Sequence, residues 1–310
     1  MKEIIFDLPS SLIALKPTLK RDHCKLLVYD RQKDQIFHRT FSDIVEYLQP
    51  QDHLVLNHAR VSPRRLYWMG PKKRKQEIVF LSLVESHEKF CVWDAIVSGK
   101  NLEFQKNYVI DSDLTFRILE RREKLSRIEV NCTLEKLETY MESSGLLPIP
   151  PYIMKARYEN KEQVLRKEDR EDYQTVFAKK EGASAAPTAG LHFTSELLEE
   201  IEKNQTQIHS LFLEVGWGTF SPLTYKNFET KKLHEEYIEI DKQTTQALYQ
   251  AKQKHEKIVA VGTTVVRTLE TWASLDCPQM DFRTLSDLFI LPPFKFQVID
   301  QLVTNFHLPQ

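Results

Sequence analysis

Residues 258–273 read Ile258-Val259-Ala260-Val261-Gly262-Thr263-Thr264-Val265-Val266-Arg267-Thr268-Leu269-Glu270-Thr271-Trp272-Ala273. Four apolar residues in a row predict a buried strand over 258–261, and Gly262 breaks it. The apolar spacing from Val265 to Ala273 then turns helical. A strand, a glycine turn and a helix make the repeating unit of an α/β fold with a partly parallel sheet. The turn offers amides and the hydroxyls of Thr263 and Thr264, which suit phosphate, carboxylate or ribose oxygens. The plain alternative is a turn that needs glycine and a threonine cap and binds nothing.

Similar units lie on either side. Residues 54–56 form a short buried strand running into Asn57, after a helix over 41–48 that Pro50 ends. Thr194 caps a helix bearing Leu197, Leu198 and Ile201. A strand is predicted over 208–215, a helix over 242–254 and a late strand over 298–305. Between 77 and 132 the texture differs: short β-rich runs at 78–84, 90–97, 108–110, 114–119 and 127–132 suggest a small antiparallel barrel or sandwich. A helix capped by Thr133 and stopped by Gly145 follows, and Pro148-Ile149-Pro150-Pro151 forms a stiff connector taken as a domain boundary. Residues 155–172 carry 12 charges of both signs, the pattern of a solvated helix or mobile loop.

Composition narrows the class. The formal net charge of the 310 residues is -1, so binding to nucleic acid must come from a local patch. Cys24, Cys91, Cys132 and Cys277 are scattered, which argues against a zinc ribbon or a disulfide framework and fits a reducing cytoplasm. Neither a secretion signal nor a run of about 18 apolar residues is visible, so a soluble cytoplasmic protein without membrane association is expected. There are 8 glycines, where average composition would give about 22. Five of them (Gly182, Gly190, Gly216, Gly218 and Gly262) fall between 182 and 262. Their clustering marks loops that either turn tightly or approach a ligand.

Three further features can carry chemistry. Glu214-Val215-Gly216-Trp217-Gly218 sets an aromatic ring between two glycines beside a carboxylate, an arrangement for stacking on a base or facing a cation, or for plugging a core edge. In Ala185-Ala186-Pro187-Thr188-Ala189-Gly190-Leu191-His192-Phe193 the lone titratable group is His192, a catalyst or a satisfied structural histidine. His192, His234 and His307 lack metal-ligand spacing, so no metal is expected. Residues 53–76 contain Arg60, Arg64, Arg65, Lys72, Lys73, Arg74 and Lys75 without an acidic residue, with Tyr67 and Trp68 among them. Cations mixed with aromatics suit an RNA backbone and exposed bases; a solubilising hairpin tip is the alternative.

Together these segments resemble the S-adenosylmethionine:tRNA ribosyltransferase-isomerases of queuosine synthesis. The resemblance rests on Phe6-Asp7-Leu8-Pro9, Leu54–Asn57 with Arg60-Val61 and Pro63, and Pro148–Ile153. It continues through Tyr173–Val176, Ala185–Thr194, Gly216–Phe220, His234 with Glu236, Val261–Glu270 and Thr304–Pro309. It implies a discontinuous α/β domain (1–60 plus 151–310) with an inserted antiparallel β-barrel domain (61–150). It also implies transfer of the ribosyl part of S-adenosylmethionine, as donor substrate, onto 7-aminomethyl-7-deazaguanine in tRNA. Epoxyqueuosine-tRNA, adenine and methionine are the products. A base must take a C5′ proton made acidic by the sulfonium: His192 first, with Glu214 and Glu236 as alternatives.

By the same resemblance, substrate contacts fall to Asn57, Arg60, Tyr173, Thr188, Gly190, Gly216, Trp217, Gly218, Thr263, Thr264, Arg267, Asn305 and His307. The tRNA contacts fall to Arg64, Arg65, Lys72, Lys73, Arg74 and Lys75. The partner is the precursor-bearing tRNA. A monomer is implied, with association through a short C-terminus as the variant expectation. The chain departs from the family pattern at His58, Ala59, Lys231, Val265 and Pro293, and ends sooner after Asn305-Phe306-His307. A divergent relative that binds tRNA or S-adenosylmethionine without turnover is the rival reading.

Overall fold

The computed structural model describes residues 6–70, 74–99, 102–122, 125–216 and 223–307. The chain opens with a hairpin of β1 (Lys25–Asp30) and β2 (Gln35–Thr40), then a 3₁₀ helix, Phe41–Tyr47. Thr40 and Asp43 form a reciprocal cap on that helix. The strands β3 (His53–Asn57) and β4 (Ala59–Val61) lead into β5 (Arg65–Met69), β6 (Lys75–Ser86), β7 (Cys91–Val97), β8 (Asn107–Asp111), β9 (Leu114–Arg122) and β10 (Leu125–Val130). From β5 to β10 they form one antiparallel sheet in the order β5-β6-β7-β10-β9-β8. Trp68 on one edge strand meets Tyr108 on the other, ring centroids 5.1 Å apart. The sheet is a nearly closed barrel around Trp68, Phe80, Trp93, Phe116 and Ile128, plugged by Leu137 and Met141 of α1 (Leu134–Ser144).

Thr133 caps α1 by accepting from the Lys136 amide at 3.3 Å, and Gly145 ends it, both as the sequence predicts. The charged run follows its expectation only in part. It holds α2 (Pro151–Glu159) and α3 (Asp169–Asp172), and between them Arg157 meets Asp169 in a two-pronged pair, both bonds 2.8 Å. Each side chain is 4% exposed. Arg157 also donates to the carbonyls of Leu15 and Val164. The segment is exposed over most of its length, as expected of a solvated helix, but Arg157 and Asp169 form a buried ion pair within it that fastens the N-terminal strip.

The rest of the chain builds the second sheet. This part of the chain contains β11 (Lys180–Ala183), which pairs with β4 in a separate two-stranded sheet, then α4 (Ser195–Lys203), β12 (Gln207–Leu213), α5 (Tyr225–Thr230), β13 (Lys232–Ile240) and α6 (Lys242–Lys254). Then come β14 (Ile258–Val261), α7 (Thr263–Ala273), β15 (Phe282–Leu288) and β16 (Gln301–Val303). The strand order is β15-β13-β12-β3-β14-β16; β12, β3, β14 and β16 are mutually parallel, and β13 and β15 antiparallel. The late strand is thus three residues long and lies at the sheet edge. Alternation puts Val55, Ile258 and Ala260 against α6 and α7 on one face. Leu54, Leu56, Val259 and Val261 pack against α4, Phe41 and Phe193 on the other. Helices on both faces explain why β3 and β14 are continuous apolar runs.

Candidate active site

Parallel strands bring their C-terminal ends to one edge, where α/β sheets place ligands. Here the edge receives the residues after β3, β12, β14 and β16, and the first half of β13, which returns antiparallel beside β12. Residues 184–192 cross it. The Ser184 amide donates to Val215 O at 2.8 Å, and a Cβ at Gly262 would lie 3.8 Å from that of Ala189. Gly262 has φ +92°, open to glycine and strained for other residues, and its amide donates to Val303 O at 2.8 Å. A Cβ at Gly190 would sit 2.7 Å from the Phe177 ring, so the loop closes only with glycine there.

Asn57 is 1% exposed and fully engaged. Its Oδ1 accepts from the amides of Ala59 (3.1 Å) and Leu213 (3.2 Å), and its Nδ2 donates to Leu213 O (3.2 Å) and Thr264 Oγ1 (3.4 Å). It joins three loops of the site rather than reaching into it. Thr263 is exposed and Thr264 half-buried at the start of α7, where Gly262 supplies no capping side chain.

Glu236 and Arg267 are likewise committed. The carboxylate accepts from the Gly216 amide at 3.0 Å and from Arg267 Nη1 at 2.6 Å, and is 6% exposed. Arg267 also donates to the carbonyls of His234 and Ser286. This pair holds the Gly216 amide, and Glu236, with both oxygens engaged, is not an open base.

His192 ends the 3₁₀ turn Thr188–His192 with its ring against Phe41, centroids 5.2 Å apart. Its Nδ1 lies 3.2 Å from Ala189 O. A carbonyl can only accept, so Nδ1 carries the proton and Nε2 keeps its lone pair. Burial, with Arg21 assisting, lowers the imidazole pKa below its ordinary value, against the opposing hydrogen bond to Ala189. Burial therefore favours the neutral ring.

Glu214 is shifted the other way. Its carboxyl is half-buried beyond the end of β12, and burial raises its pKa, aided by Glu236 and opposed by Arg64 and Lys180. Of the three candidate acid–base groups, His192 and Glu214 remain available for proton transfer.

The other expected contacts divide. Thr188 is half-buried, and Arg60 is exposed beside Glu181. Tyr173 is buried in a small cluster with Val61, Leu147 and Ile149, and burial raises its hydroxyl pKa strongly. Asn305 is half-buried with Oδ1 unpartnered, and His307 is exposed. Trp217 and Gly218, like Lys72 and Lys73, lie outside the described residues. Two hydroxyls not foreseen from the sequence, Thr175 Oγ1 and Ser184 Oγ, are also buried without a partner among the described residues. Each lies in or beside a segment that carries the family resemblance, but a lone Ser or Thr gives no pattern to find it by.

The basic stretch is only partly open. Arg65 is 6% exposed and paired with Glu77, so its charge is unavailable to phosphate. Arg64 is turned inward as well. Arg74 and Lys75 are exposed, with Lys75 Nζ 3.8 Å from the centre of the Tyr67 ring. A cavity of about 410 Å³ between this strand and Met154, Val164 and Leu165 lies away from the sheet edge. Among the described residues no group of three His, Cys, Asp or Glu side chains is placed to hold a metal, and no helix is long and apolar enough to cross a membrane.

The family model described as "Queuosine biosynthesis protein" matches residues 1–310. The S-adenosylmethionine:tRNA ribosyltransferase-isomerase of Thermotoga petrophila is 41% identical over 311 residues, covering 100% of this chain and 88% of that protein. The protein of the same name from Sulfurihydrogenibium sp. (strain YO3AOP1) is 37% identical over 314 residues with the same coverage. A crystal structure of S-adenosylmethionine tRNA ribosyltransferase from Thermotoga maritima aligns over 98% of this chain and 84% of that one, with 33% identity and a TM-score of 0.48.

Proposed function

The chain belongs to the queuosine biosynthesis protein family, and we propose that it transfers and isomerises the ribosyl moiety of S-adenosylmethionine onto 7-aminomethyl-7-deazaguanine in tRNA. Adenine and methionine leave, and epoxyqueuosine-tRNA forms. The observation that carries the assignment of roles is the pair of oppositely shifted groups beside one sheet edge. Burial favours the neutral form of His192, whose Nδ1 faces the Ala189 carbonyl, and the protonated form of Glu214. A base for the sulfonium-activated C5′ proton and an acid for the departing adenine are what the reaction needs. His192 Nε2 takes the first role and Glu214 the second. Thr263, Thr264 and Asn305 offer polar atoms at the same edge for substrate oxygens or nitrogens, and Arg74 and Lys75 offer charge to tRNA phosphates.

The test is incubation with S-adenosylmethionine and precursor-bearing tRNA while adenine is quantified. His192→Gln should still bind S-adenosylmethionine and lose about 10²–10⁴ in turnover. A folded variant keeping more than about a tenth of the rate would return His192 to a structural role.

A further inference from the structure

Arg64, in the link between β4 and β5, points away from solvent although its neighbours in sequence are basic. Its side chain is 12% exposed, and Nη1 donates to Leu81 O at 2.7 Å. The guanidinium carbon lies 5.2 Å from the centre of the Trp93 ring, and Trp93 is held edge-on by Phe80 at 5.7 Å. Leu81 and Trp93 belong to the barrel, on β6 and β7. The same Nη1 reaches within 4.0 Å of Glu214 Oε1, across the boundary with the second sheet.

We propose that Arg64 is a positioning residue for Glu214, a buried cation that the barrel holds behind a half-open carboxylate of the transfer site. Trp93 and Leu81 fix the guanidinium from behind, and Glu214 keeps 35% of its side chain exposed for the reaction. Among the described residues, the groups facing Glu214 are Arg64, Lys180 from β11, and Glu236 and Tyr237 from β13. Lys180 gives its ammonium to Glu239 at 2.7 Å, and Glu236 is neutralised by Arg267. Arg64 itself also faces Glu138 of α1 and Glu181 of β11. Among the described residues, the cation nearest to Glu214 that is not closely paired elsewhere is therefore Arg64. Through it, a displacement of the barrel changes both the aim and the proton affinity of the carboxylate.

The inference rests on the reading of Glu214 as an acid–base group, and pH profiles of kcat for single turnover separate the two. Removing a cation favours the protonated acid, so Arg64→Gln should move the limb that belongs to Glu214 toward higher pH. An opposite charge at this range shifts a carboxyl by about 1–3 pH units. Arg64→Lys, which keeps the charge, should restore most of the wild-type position. Glu214→Gln should abolish that limb. If Glu214→Gln retains the limb, the role of Glu214 fails and the proposal with it. If Glu214→Gln abolishes it and a folded Arg64→Gln leaves it in place, only the proposal is overturned. Trp93→Leu removes the face on which the guanidinium rests and should shift the same limb upward by less. Should Arg64→Gln not fold, an unmoved limb in folded Trp93→Leu overturns the proposal.

Discussion

Asn57→Ala should destabilise the protein without altering ligand affinity per folded molecule. The Asn57 amide group accepts two backbone N–H bonds, from Ala59 and Leu213, and donates to Leu213 O and Thr264. Alanine leaves both amides without their side-chain partner at positions where Ala59 and Leu213 are 0% exposed. Each orphaned buried donor costs about 1–3 kcal/mol, so the loss should be about 2–6 kcal/mol. Against a typical stability of about 5–15 kcal/mol this is large enough to read directly. Urea unfolding followed by tryptophan fluorescence gives the stability, and isothermal titration below the transition gives S-adenosylmethionine affinity. A loss under about 1 kcal/mol would refute the reasoning. So would a stable variant that no longer binds ligand, because Asn57 would then touch the substrate.

Breaking the buried pair with Arg157→Met leaves Asp169 only the Arg166 amide at 2.9 Å and guanidinium at 3.6 Å, and should cost up to about 3–5 kcal/mol, whereas Arg157→Met with Asp169→Leu should recover part of it; equal losses in thermal melts would contradict this. Burial and His53 push the His209 pKa down to about 4, and His53 in turn bridges to Glu256. The unfolded chain therefore binds the proton more readily than the fold. The corresponding stability is complete above about pH 6.5 and is lost as pH falls toward 4, to the extent of about 3 kcal/mol. His209→Gln should flatten that window in urea titrations at stepped pH, and an unchanged slope would place the acid sensitivity elsewhere. Replacing Arg74 and Lys75 with Ala should reduce the log–log salt slope of tRNA binding by about 0.7 for each phosphate left without its cation; an unchanged slope would move the RNA surface away from this strand.

The sheet centre was readable because β3 and β14 are covered on both faces, which makes them unbroken apolar runs next to helices of regular spacing. Four neighbouring elements were not, for physical reasons. The hairpin β1–β2 has apolar residues on both faces, with Leu26 and Val28 half-buried and Leu27, Tyr29 and Ile36 exposed, so no alternation marks its inner side. In β13 the inward position Glu236 is a carboxylate, tolerated there because Arg267 and the Gly216 amide meet it, so the alternation is broken. In β5, Leu66 and Trp68 alternate into the barrel while Arg65 is neutralised by Glu77, and the eye sees a basic patch instead. Arg157 and Asp169 are 12 positions apart in a run dense with charge, and spacing alone could not single them out.

The site divided in the same way. His192 and Gly262 were legible as the odd residues of their loops. That Glu236 and Arg267 are spent on each other depends on how α7 meets β13, and that Arg64 faces Glu214 rather than solvent depends on how the β4–β5 link meets the end of β12. No local pattern encodes it.

The fate of the two halves of S-adenosylmethionine tests the ribosyl transfer most directly. A single incubation with donor labelled by tritium at a ribose carbon other than C5′ and by carbon-14 in the methyl group, using precursor-bearing tRNA, decides it. The predicted result is tritium in the tRNA, carbon-14 in free methionine and one unlabelled adenine released for each ribosyl group transferred. Carbon-14 in the tRNA, or bound donor with neither label transferred, would contradict the proposed function.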